Sequence, residues 1–583
     1  MTKNKIAACS IAIVMLLGMV SCKADLDSRY FELVPINEIT IVRLVSGDGD
    51  TGVYIREVLP GGPEISRFEA ILGSEFVLNA ELAFAFGEAN SPLEFRWYEL
   101  DHQIGAGPTS DEHRLLSEKQ TLTLQLDADF GNTARPYRLK VVVTDTHTRV
   151  SVQRQFQIQV RSVLQTGWYA LTERQNSFEL DIVTLFQGDI SQVNNALYAL
   201  GSTLPREGHR PISILAFPNN SAPTIRDRDL TNFSIVIHTD RGANAVRSGD
   251  FSWEPHLDIS SFAINGHPVL TPGFVPNRLI PMLGAPTLAQ LNNGIVTRLY
   301  IHYGDDFYFF NRWNAFFPAW EPVNVIFPMR ERVRVAPYIA GSLQNGVLMF
   351  DLDNNRFIRH ISTGLFGPAL GTASHLFLVS NLVTDHLATP PFRFNDHFER
   401  LLYMNTFQLH QGFAIVESTP GTLQFLRFTV GGVAATAVVP NFAGTFADNA
   451  MVESIEHWAM HQGGVFLYMA TADRLWRVNT AADMAVQDIT YQLGLPTGYR
   501  ISTLDFLSEV GGGAWFQPFL TVGSYNPGGA VGTNGRLDMF DVDTGVGATG
   551  HLTLRVHTQS DGTEVPMSFT GMGRPVSVAY RIR

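Results

Sequence analysis

Cysteine is almost absent from the 583-residue chain, which contains only Cys9 and Cys22. Both lie in the first 22 residues, so we expect no disulfide and no thiolate metal site in the rest of the chain. The sequence also has no Gly-x-Ser-x-Gly elbow, no His-Glu-x-x-His zinc helix and no Walker loop. The commonest hydrolase and nucleotide-binding signatures are therefore missing. Glycosidase carboxylates need no local motif, so glycoside hydrolysis stays open.

Charged residues are also scarce, at 17% of the chain, and they sum to a net charge of −13 without a basic stripe. This balance argues against nucleic acid as a partner. The chain is instead rich in turn and aromatic residues, with 50 Gly, 30 Pro and 40 Phe. Such a composition indicates a turn-rich, all-β protein.

Long apolar runs are missing except at the N-terminus, where residues 6–22 follow Lys3 and Lys5 and end in Val20-Ser21-Cys22. The run is too short for a spanning helix, which needs about 20 residues, and its flanks are typical of a signal peptide. We interpret residues 1–21 as a signal peptide closed by a lipobox, with Cys22 as the lipid attachment site. Residues 22–35 then form a tether. An uncleaved membrane anchor or a buried helix is the alternative.

Period-two alternation of apolar residues from 36 to 162 predicts an antiparallel sandwich. Leu93, Phe95 and Trp97 alternate, and so do the odd-numbered positions of 137–143. Residues 45–72 depart from this pattern and are interpreted as an inserted loop. Removal of the predicted signal peptide takes away Lys3 and Lys5, so the net charge of the mature chain is −15.

The remainder, residues 163–583, contains seven strand-turn-strand units whose turns carry Gly, Asn or Asp. Spacings of about 40 to 75 residues favour a β-propeller of six to eight blades, with seven as the preferred number, and two further sandwiches in tandem are the alternative. The best internal match is 345–351 against 534–541, and the last alternating run, 576–582, is predicted to close the ring by pairing with the first blade. The turns lie near Asn176, Asp240, Asp305, Asn345, Pro420, Asp473 and Asn534.

The segments LEFRWYEL (93–100), YRLKVVVTD (137–145) and QFQIQV (155–160) resemble the central strands of a PKD-type immunoglobulin-like domain. With GWYALTERQNSFELD (167–181) after it and a lipobox before it, the chain is similar to the PKD-like family lipoproteins of Gram-negative bacteria. Those proteins are typically encoded beside starch-utilisation-type uptake systems. The resemblance implies an outer-membrane lipoprotein displayed at the cell surface, with an outer-membrane receptor complex as a partner. It implies no catalytic residue.

The richest candidate for ligand binding is the segment 311–322, NRWNAFFPAWEP. Flat aromatic faces stack on sugar rings or peptide side chains, and polar neighbours supply directional hydrogen bonds. The same cluster could instead be a hydrophobic plug between blades. Trp253 is a second candidate on the same reasoning. The candidate ligand-binding residues of the segment are Arg312, Trp313, Asn314, Phe316, Phe317, Trp320 and Glu321.

Two patterns resemble metal sites weakly, and no metal or other cofactor is expected. His457 and His461 have the i, i+4 spacing that would place two imidazoles on one helical face, although a strand follows closely. Asp351, Asp353 and Asn355 alternate oxygen side chains as a calcium loop does, but the sixth and twelfth positions do not fit. Turn hydrogen bonding explains the second pattern better.

These features favour a binding protein over an enzyme. We expect a non-catalytic binding or accessory component of an outer-membrane nutrient uptake system that takes a glycan or a peptide. A propeller-type polysaccharide hydrolase or lyase is the first alternative, and a purely structural accessory subunit is the second. Fold alone decides none of these.

Overall fold

The computed structural model describes residues 38–46, 54–56, 66–71, 75–86, 92–100, 114–126, 137–161, 164, 167–186, 189–216, 233–247, 251–262, 271, 273–283, 297–311, 323–326, 329–342, 346–361, 375–379, 390–394, 396–408, 411–430, 438–481, 483–506, 519–544 and 547–581. Nearly all of its regular elements are strands, so the predicted all-β class is confirmed. The nine strands before residue 162 are β1 (Ile39–Ser46), β2 (Tyr54–Arg56), β3 (Ser66–Ile71), β4 (Glu75–Phe84), β5 (Leu93–Leu100), β6 (Arg114–Ser117), β7 (Thr121–Gln125), β8 (Tyr137–Asp145) and β9 (Ser151–Arg161).

These nine strands form a two-sheet sandwich, as the alternating pattern predicted. One sheet has the order β1-β4-β7 and the other β2-β3-β9-β8-β5-β6. Trp97 is fully buried between them, its ring meets Phe156 edge-on at 5.9 Å, and its Nε1 donates to the Lys119 carbonyl at 2.8 Å. The interpretation of residues 45–72 as a loop was wrong, because β3 pairs in parallel with β9 and places Phe68 in the core.

Thirty-one further strands lie in the described part of residues 167–581, together with the short helices α1 (Ala196–Ala199) and α2 (Asn449–Glu453). They are β10 (Gly167–Arg174), β11 (Ser177–Phe186), β12 (Asp189–Val193), β13 (Pro211–Ala216), β14 (Phe233–Thr239), β15 (Gly242–Arg247), β16 (Arg278–Leu283), β17 (Thr297–Tyr303), β18 (Asp306–Asn311), β19 (Val325–Ile326), β20 (Glu331–Arg332), β21 (Ala340–Ser342), β22 (Gly346–Asp351), β23 (Arg356–Ile361), β24 (His375–Leu378), β25 (Arg400–Gln408), β26 (Gln411–Thr419), β27 (Thr422–Val430), β28 (Val438–Thr445), β29 (His457–Met460), β30 (Phe466–Ala470), β31 (Leu475–Asn479), β32 (Val486–Asp488), β33 (Arg500–Phe506), β34 (Leu520–Tyr525), β35 (Gly535–Val542), β36 (Leu552–Leu554), β37 (Val556–Thr558), β38 (Glu564–Pro566), β39 (Ser568–Met572) and β40 (Arg574–Arg581).

Within the described residues these strands build seven sheets and one separate hairpin, β37-β38. We call the seven sheets blades and number them in chain order. The last strand, β40, is left out of this ordering because it belongs to the first blade. Blade 1 is β40-β10-β11-β12, blade 2 is β13-β14-β15, and blade 3 is β16-β17-β18. Blade 4 is β21-β22-β23-β24, extended by β19 and β20. Blades 5, 6 and 7 are β25 to β28, β29 to β32, and β33 to β36 with β39.

Each of the seven predicted hairpins falls in a different blade. In six blades the predicted turn joins the second and third strands, as Asn176 does between β10 and β11. Residue 345 is the exception: it lies outside the described residues, between the first two strands of blade 4. The internal match of 345–351 to 534–541 was therefore wrong as a repeat, because it aligns the second strand of one blade with the third strand of another.

Apolar side chains bury both faces of every blade. Seven core clusters each combine residues of two successive blades, and the last one joins blade 7 back to blade 1. In a sandwich each sheet buries one face against a single partner, so this cyclic series excludes two sandwiches in tandem. The second region is a seven-bladed β-propeller.

The C-terminal strand closes the ring, as the alternating run 576–582 predicted. Strand β40 pairs antiparallel with β10 across residues 167 to 173, so the first blade combines the two ends of the propeller. The Trp168 and Tyr580 rings lie 4.9 Å apart across this seam. The backbones pack closely beside it, since a Cβ on Gly535 would stand 1.8 Å from the Gly573 carbonyl oxygen.

Candidate functional site

The innermost strands of a propeller surround its axis, and several of them begin with an arginine. The innermost strands are β40, β13, β16, β21, β25, β29 and β33, and contacts between them link successive blades, including β33 to β40. The arginines that precede or begin these strands are Arg210, Arg278, Arg400, Arg500 and Arg574.

Four of these five arginines face carboxylates. Arg210 lies 3.1 Å from Asp240, and Arg574 lies 2.9 Å from Glu173. Arg400 contacts both Glu417 and Glu453, and Arg500 lies 3.6 Å from Asp473. Their charges are therefore matched within the protein.

Arg278 is different, because no carboxylate of the described chain lies within ion-pair distance of it. Its guanidinium lies 4.7 Å from the ring centroid of Tyr338, and Nη1 donates to the Pro337 carbonyl at 3.2 Å. Stacking on an aromatic face holds the guanidinium plane and directs its N–H groups sideways, where they can reach an acceptor.

An array of aromatic rings continues from Arg278 around the axis. The rings of Tyr338 and Tyr403 lie 5.3 Å apart at 63°, and those of Tyr403 and Trp458 lie 5.9 Å apart at 20°. These residues lie on or beside the innermost strands of blades 4, 5 and 6, and Arg278 belongs to blade 3. We call Arg278, Tyr338, Tyr403 and Trp458 the axial array.

The two half-buried tyrosines of the array supply its phenolic hydroxyl groups. Burial raises the pKa of Tyr403 to about 12, and the charge of Asp505 raises it further while that of Arg278 opposes the shift. The phenol therefore stays protonated, and its oxygen accepts a hydrogen bond from Nδ2 of Asn405 at 3.1 Å. Trp458 is 8% exposed and backs the Tyr403 ring. Tyr338 and Tyr403 are the two rings left partly open.

Asp505, on the innermost strand of blade 7, is solvent-accessible and yet closely surrounded by protein. Burial among the neighbouring strands raises the pKa of its carboxyl to about 7, and a hydrogen bond from the Phe506 backbone only partly offsets this. Its cross-strand neighbour Thr521 is fully buried. Asp505 is therefore an accessible carboxyl with a raised pKa on the innermost strand of blade 7.

The aromatic segment singled out from the sequence cannot be placed, since residues 312–322 lie outside the described residues. Trp253 is placed: it is half-buried between blades 1, 2 and 3, where it packs against two core clusters. Its Nε1 donates to Oδ1 of Asn244 at 3.0 Å. The indole N–H therefore already has a hydrogen-bond partner within the protein. Cys22 also lies outside the described residues.

The interpretation that His457 and His461 share one face of a helix was wrong. His457 begins strand β29 and His461 follows its end, because this segment pairs antiparallel with β30. Four residues along a strand span about 13 Å, too far for the two imidazoles to share one metal ion. Burial lowers the pKa of both rings, and for His457 the charge of Arg574 adds to this while that of Glu456 opposes it.

Asp351 serves a tight turn, as the turn interpretation predicted. Its carboxylate accepts hydrogen bonds from the backbone N–H groups of Asp353 and Asn354 at 2.9 and 3.1 Å, and from Nε of Arg356 at 3.0 Å. Asp353 pairs with Arg334 at 2.7 Å, and Asn355 has a φ of 51° in the same turn. No group of three or more potential metal-ligating side chains occurs within the described residues.

A recess lies between blades 6 and 7, with a volume of about 270 Å³. His461, Phe466, Asn479 and Thr544 are among its lining residues, and none of the lining residues is Asp, Glu, Lys or Arg. The His461 Nδ1 accepts a hydrogen bond from the Gly463 N–H at 3.0 Å, so the proton of the neutral ring is on Nε2. This recess is smaller than most ligand pockets, which hold about 300–1,000 Å³.

Sequence reasoning missed the axial array, because its four members come from four blades and share no local motif. One signal was present: an arginine recurs at the start of successive innermost strands, but the strands must first be identified. The structure also shows no helix in its described part that is long and apolar enough to cross a membrane.

No family model matches the chain, and no curated protein is similar to it. Among solved structures it is similar to a quinonprotein alcohol dehydrogenase-like protein from Bacteroides thetaiotaomicron, with 10% identity, 90% of this chain and 99% of that chain covered, and a TM-score of 0.33. A dihydro-heme d1 dehydrogenase matches at 7% identity over 71% of this chain and 75% of its own, with a TM-score of 0.35. A DUF4784 family protein from Bacteroides caccae matches at 8% identity over 91% and 99%, with a TM-score of 0.23. Likeness at this level carries no argument about activity.

Proposed function

We propose that this protein is a cell-surface lipoprotein whose propeller binds a nutrient-derived ligand at the axial array. In this role it serves as a non-catalytic component of an outer-membrane uptake system, anchored through a lipid on Cys22. The lipobox and the resemblance to PKD-like lipoproteins support the location. The fold contributes a ring of blades whose innermost strands surround the axis.

The observation that carries the proposal is the grouping of Arg278, Tyr338 and Tyr403 at the axis. Two partly open tyrosine rings with their two phenolic hydroxyls, and one cation, supply flat apolar area together with directional polar contacts. Binding sites for small polar ligands combine these features. A site of this kind holds a ligand without needing a nucleophile.

Binding is tested by incubating purified residues 23–583 with pooled glycans and peptides, and measuring both retention and new reducing ends or peptide fragments. We expect retention without turnover. Tyr338→Ala removes an open ring of the array and should weaken retention about tenfold. Tyr491→Ala is the matched control, because Tyr491 is 73% exposed at a distant surface. Equal retention by both variants would contradict the assignment of the site.

A polysaccharide hydrolase or lyase is the second candidate, and Asp505 is the observation that favours it. An accessible carboxyl with a pKa of about 7 has the protonation behaviour of a general acid or base. Release of new reducing ends that Asp505→Asn abolishes would establish this activity in place of simple binding. No retention of any ligand, with co-purification of an outer-membrane receptor, would indicate a structural subunit.

A further inference from the structure

Arg278 differs in its charged neighbours from the four other arginines at the start of innermost strands. Arg400, Arg500 and Arg574 begin innermost strands as Arg278 does, and Arg210 directly precedes one. Those four lie beside carboxylates of the protein, whereas the described part of the chain offers Arg278 an aromatic face and one backbone carbonyl. Among the described residues, the arginine at this position thus has a carboxylate partner in four blades and none in blade 3.

A guanidinium has five N–H donors, and the Pro337 carbonyl accepts from one nitrogen of Arg278. The side chain is half-buried, so fewer water molecules reach it than reach an exposed arginine. Hydrogen bonds between a guanidinium and a carboxylate are about twice as strong as neutral ones and are frequently bidentate. A ligand carboxylate would give Arg278 the negatively charged acceptor that Asp240 gives Arg210 and Glu173 gives Arg574.

We propose that the ligand of the axial array is an acidic glycan, whose uronic acid carboxylate binds Arg278 while its sugar rings contact Tyr338 and Tyr403. This inference rests on the proposed binding function and specifies its ligand class. The rings favour a glycan over a peptide, because two partly open aromatic faces follow one another next to the cation. Flat apolar faces complement the faces of sugar rings, and hydroxyl groups can bond to Tyr403.

The test uses probe pairs that differ only in charge. Oligogalacturonate and oligomannuronate are each compared with their methyl esters by isothermal titration calorimetry, and oligoglutamate serves as the acidic peptide. We expect at least one acidic glycan to bind more tightly than its ester. Arg278→Gln should weaken binding of that glycan about 10- to 100-fold and leave the affinity for its ester almost unchanged.

Arg500→Gln is the matched control, because it removes the same charge from the start of another innermost strand, where the side chain is 52% exposed and paired with Asp473. It should change affinity less than about twofold. Arg278→Lys keeps the charge and loses the fork of donors, so we expect intermediate affinity. Unchanged melting temperatures for Arg278→Lys establish that the variant is folded.

Each of the remaining outcomes contradicts one part of the proposal. Equal binding of acid and ester, or equal losses in Arg278→Gln and Arg500→Gln, contradicts the acidic ligand while the binding function stands. Tighter binding of oligoglutamate than of either acidic glycan contradicts the glycan class. Failure of both acids and both esters to bind contradicts the acidic glycan, and the pooled retention assay then decides whether the binding function itself fails.

Discussion

Replacing Asp181 with Asn should loosen the seam that closes the propeller. Asp181 is 1% exposed in β11 of blade 1, and its carboxylate accepts hydrogen bonds from four residues. The donors are Thr172 Oγ1 at 2.8 Å, Arg174 Nη2 at 2.9 Å, the Asn195 N–H at 2.8 Å and the Gly573 N–H at 3.1 Å. The Gly573 bond holds the residue that directly precedes the closing strand β40.

The expected loss is about 3–5 kcal/mol, the cost of removing one partner from a buried ion pair. The amide of Asn has one oxygen where the carboxylate has two, so its NH2 group must face either the Asn195 N–H or the Gly573 N–H, which are both donors. Arg174 is left without its counter-charge, with the side chain 13% exposed. Local opening should therefore become about 100- to 4,000-fold more frequent, because each factor of ten corresponds to about 1.4 kcal/mol.

Hydrogen exchange measured by mass spectrometry follows this opening in peptides that cover β10 and β40. Asp240→Asn is the control, since its partner Arg210 is 80% exposed and the exposed pair should contribute less than about 1 kcal/mol. Exchange in β40 that rises less than about tenfold in Asp181→Asn would refute the reasoning. Equal effects of the two variants would also refute it.

Three further predictions concern packing, pH and attachment. Gly535→Ala should cost about 3 kcal/mol and lower the melting temperature, because its Cβ would lie 1.8 Å from the Gly573 oxygen, whereas Gly528→Ala should be nearly neutral. Burial raises the pKa of Asp505 to about 7, above its unfolded value of about 3.9, so this stabilising contribution is complete below pH 4 and is lost as the pH rises through 7. Asp505→Asn should therefore melt progressively higher than the natural protein between pH 5 and pH 8, and a pH-independent difference would contradict this. Cys22→Ala should release the protein from membranes and abolish incorporation of labelled fatty acid, and retention of both would contradict the lipid anchor.

The strands and their turns were predictable because they depend on neighbours in sequence. Alternating side chains point to opposite faces of a strand, so the pattern around Trp97 identified the core of the sandwich without knowledge of its partner sheet. Polar turn residues such as Asp240 and Asp473 marked one hairpin in each blade. The same local rule failed at 345–351, because a turn signal does not say which two strands of a blade it joins.

The histidine pair shows why local spacing misled. His457 and His461 have a separation that fits both a helical face and one side of a strand, and pairing with β30 decided for the strand. Strand β3 was missed for a related reason. Its partner β9 lies about 90 residues away in the sequence, so its parallel register leaves no short-range trace.

The sequence by itself determined the all-β class, the sandwich core and the hairpin of each blade, because side-chain alternation and turn chemistry act over a few residues. Only the tertiary structure brought Arg278, Tyr338, Tyr403 and Trp458 together, since ring closure by β40 sets the neighbours of each innermost strand. Tertiary structure also decided that no carboxylate of the described residues pairs with Arg278, whereas its four counterparts each have one. Charge matching depends on distances between strands of different blades, and these distances exist only after the ring has closed.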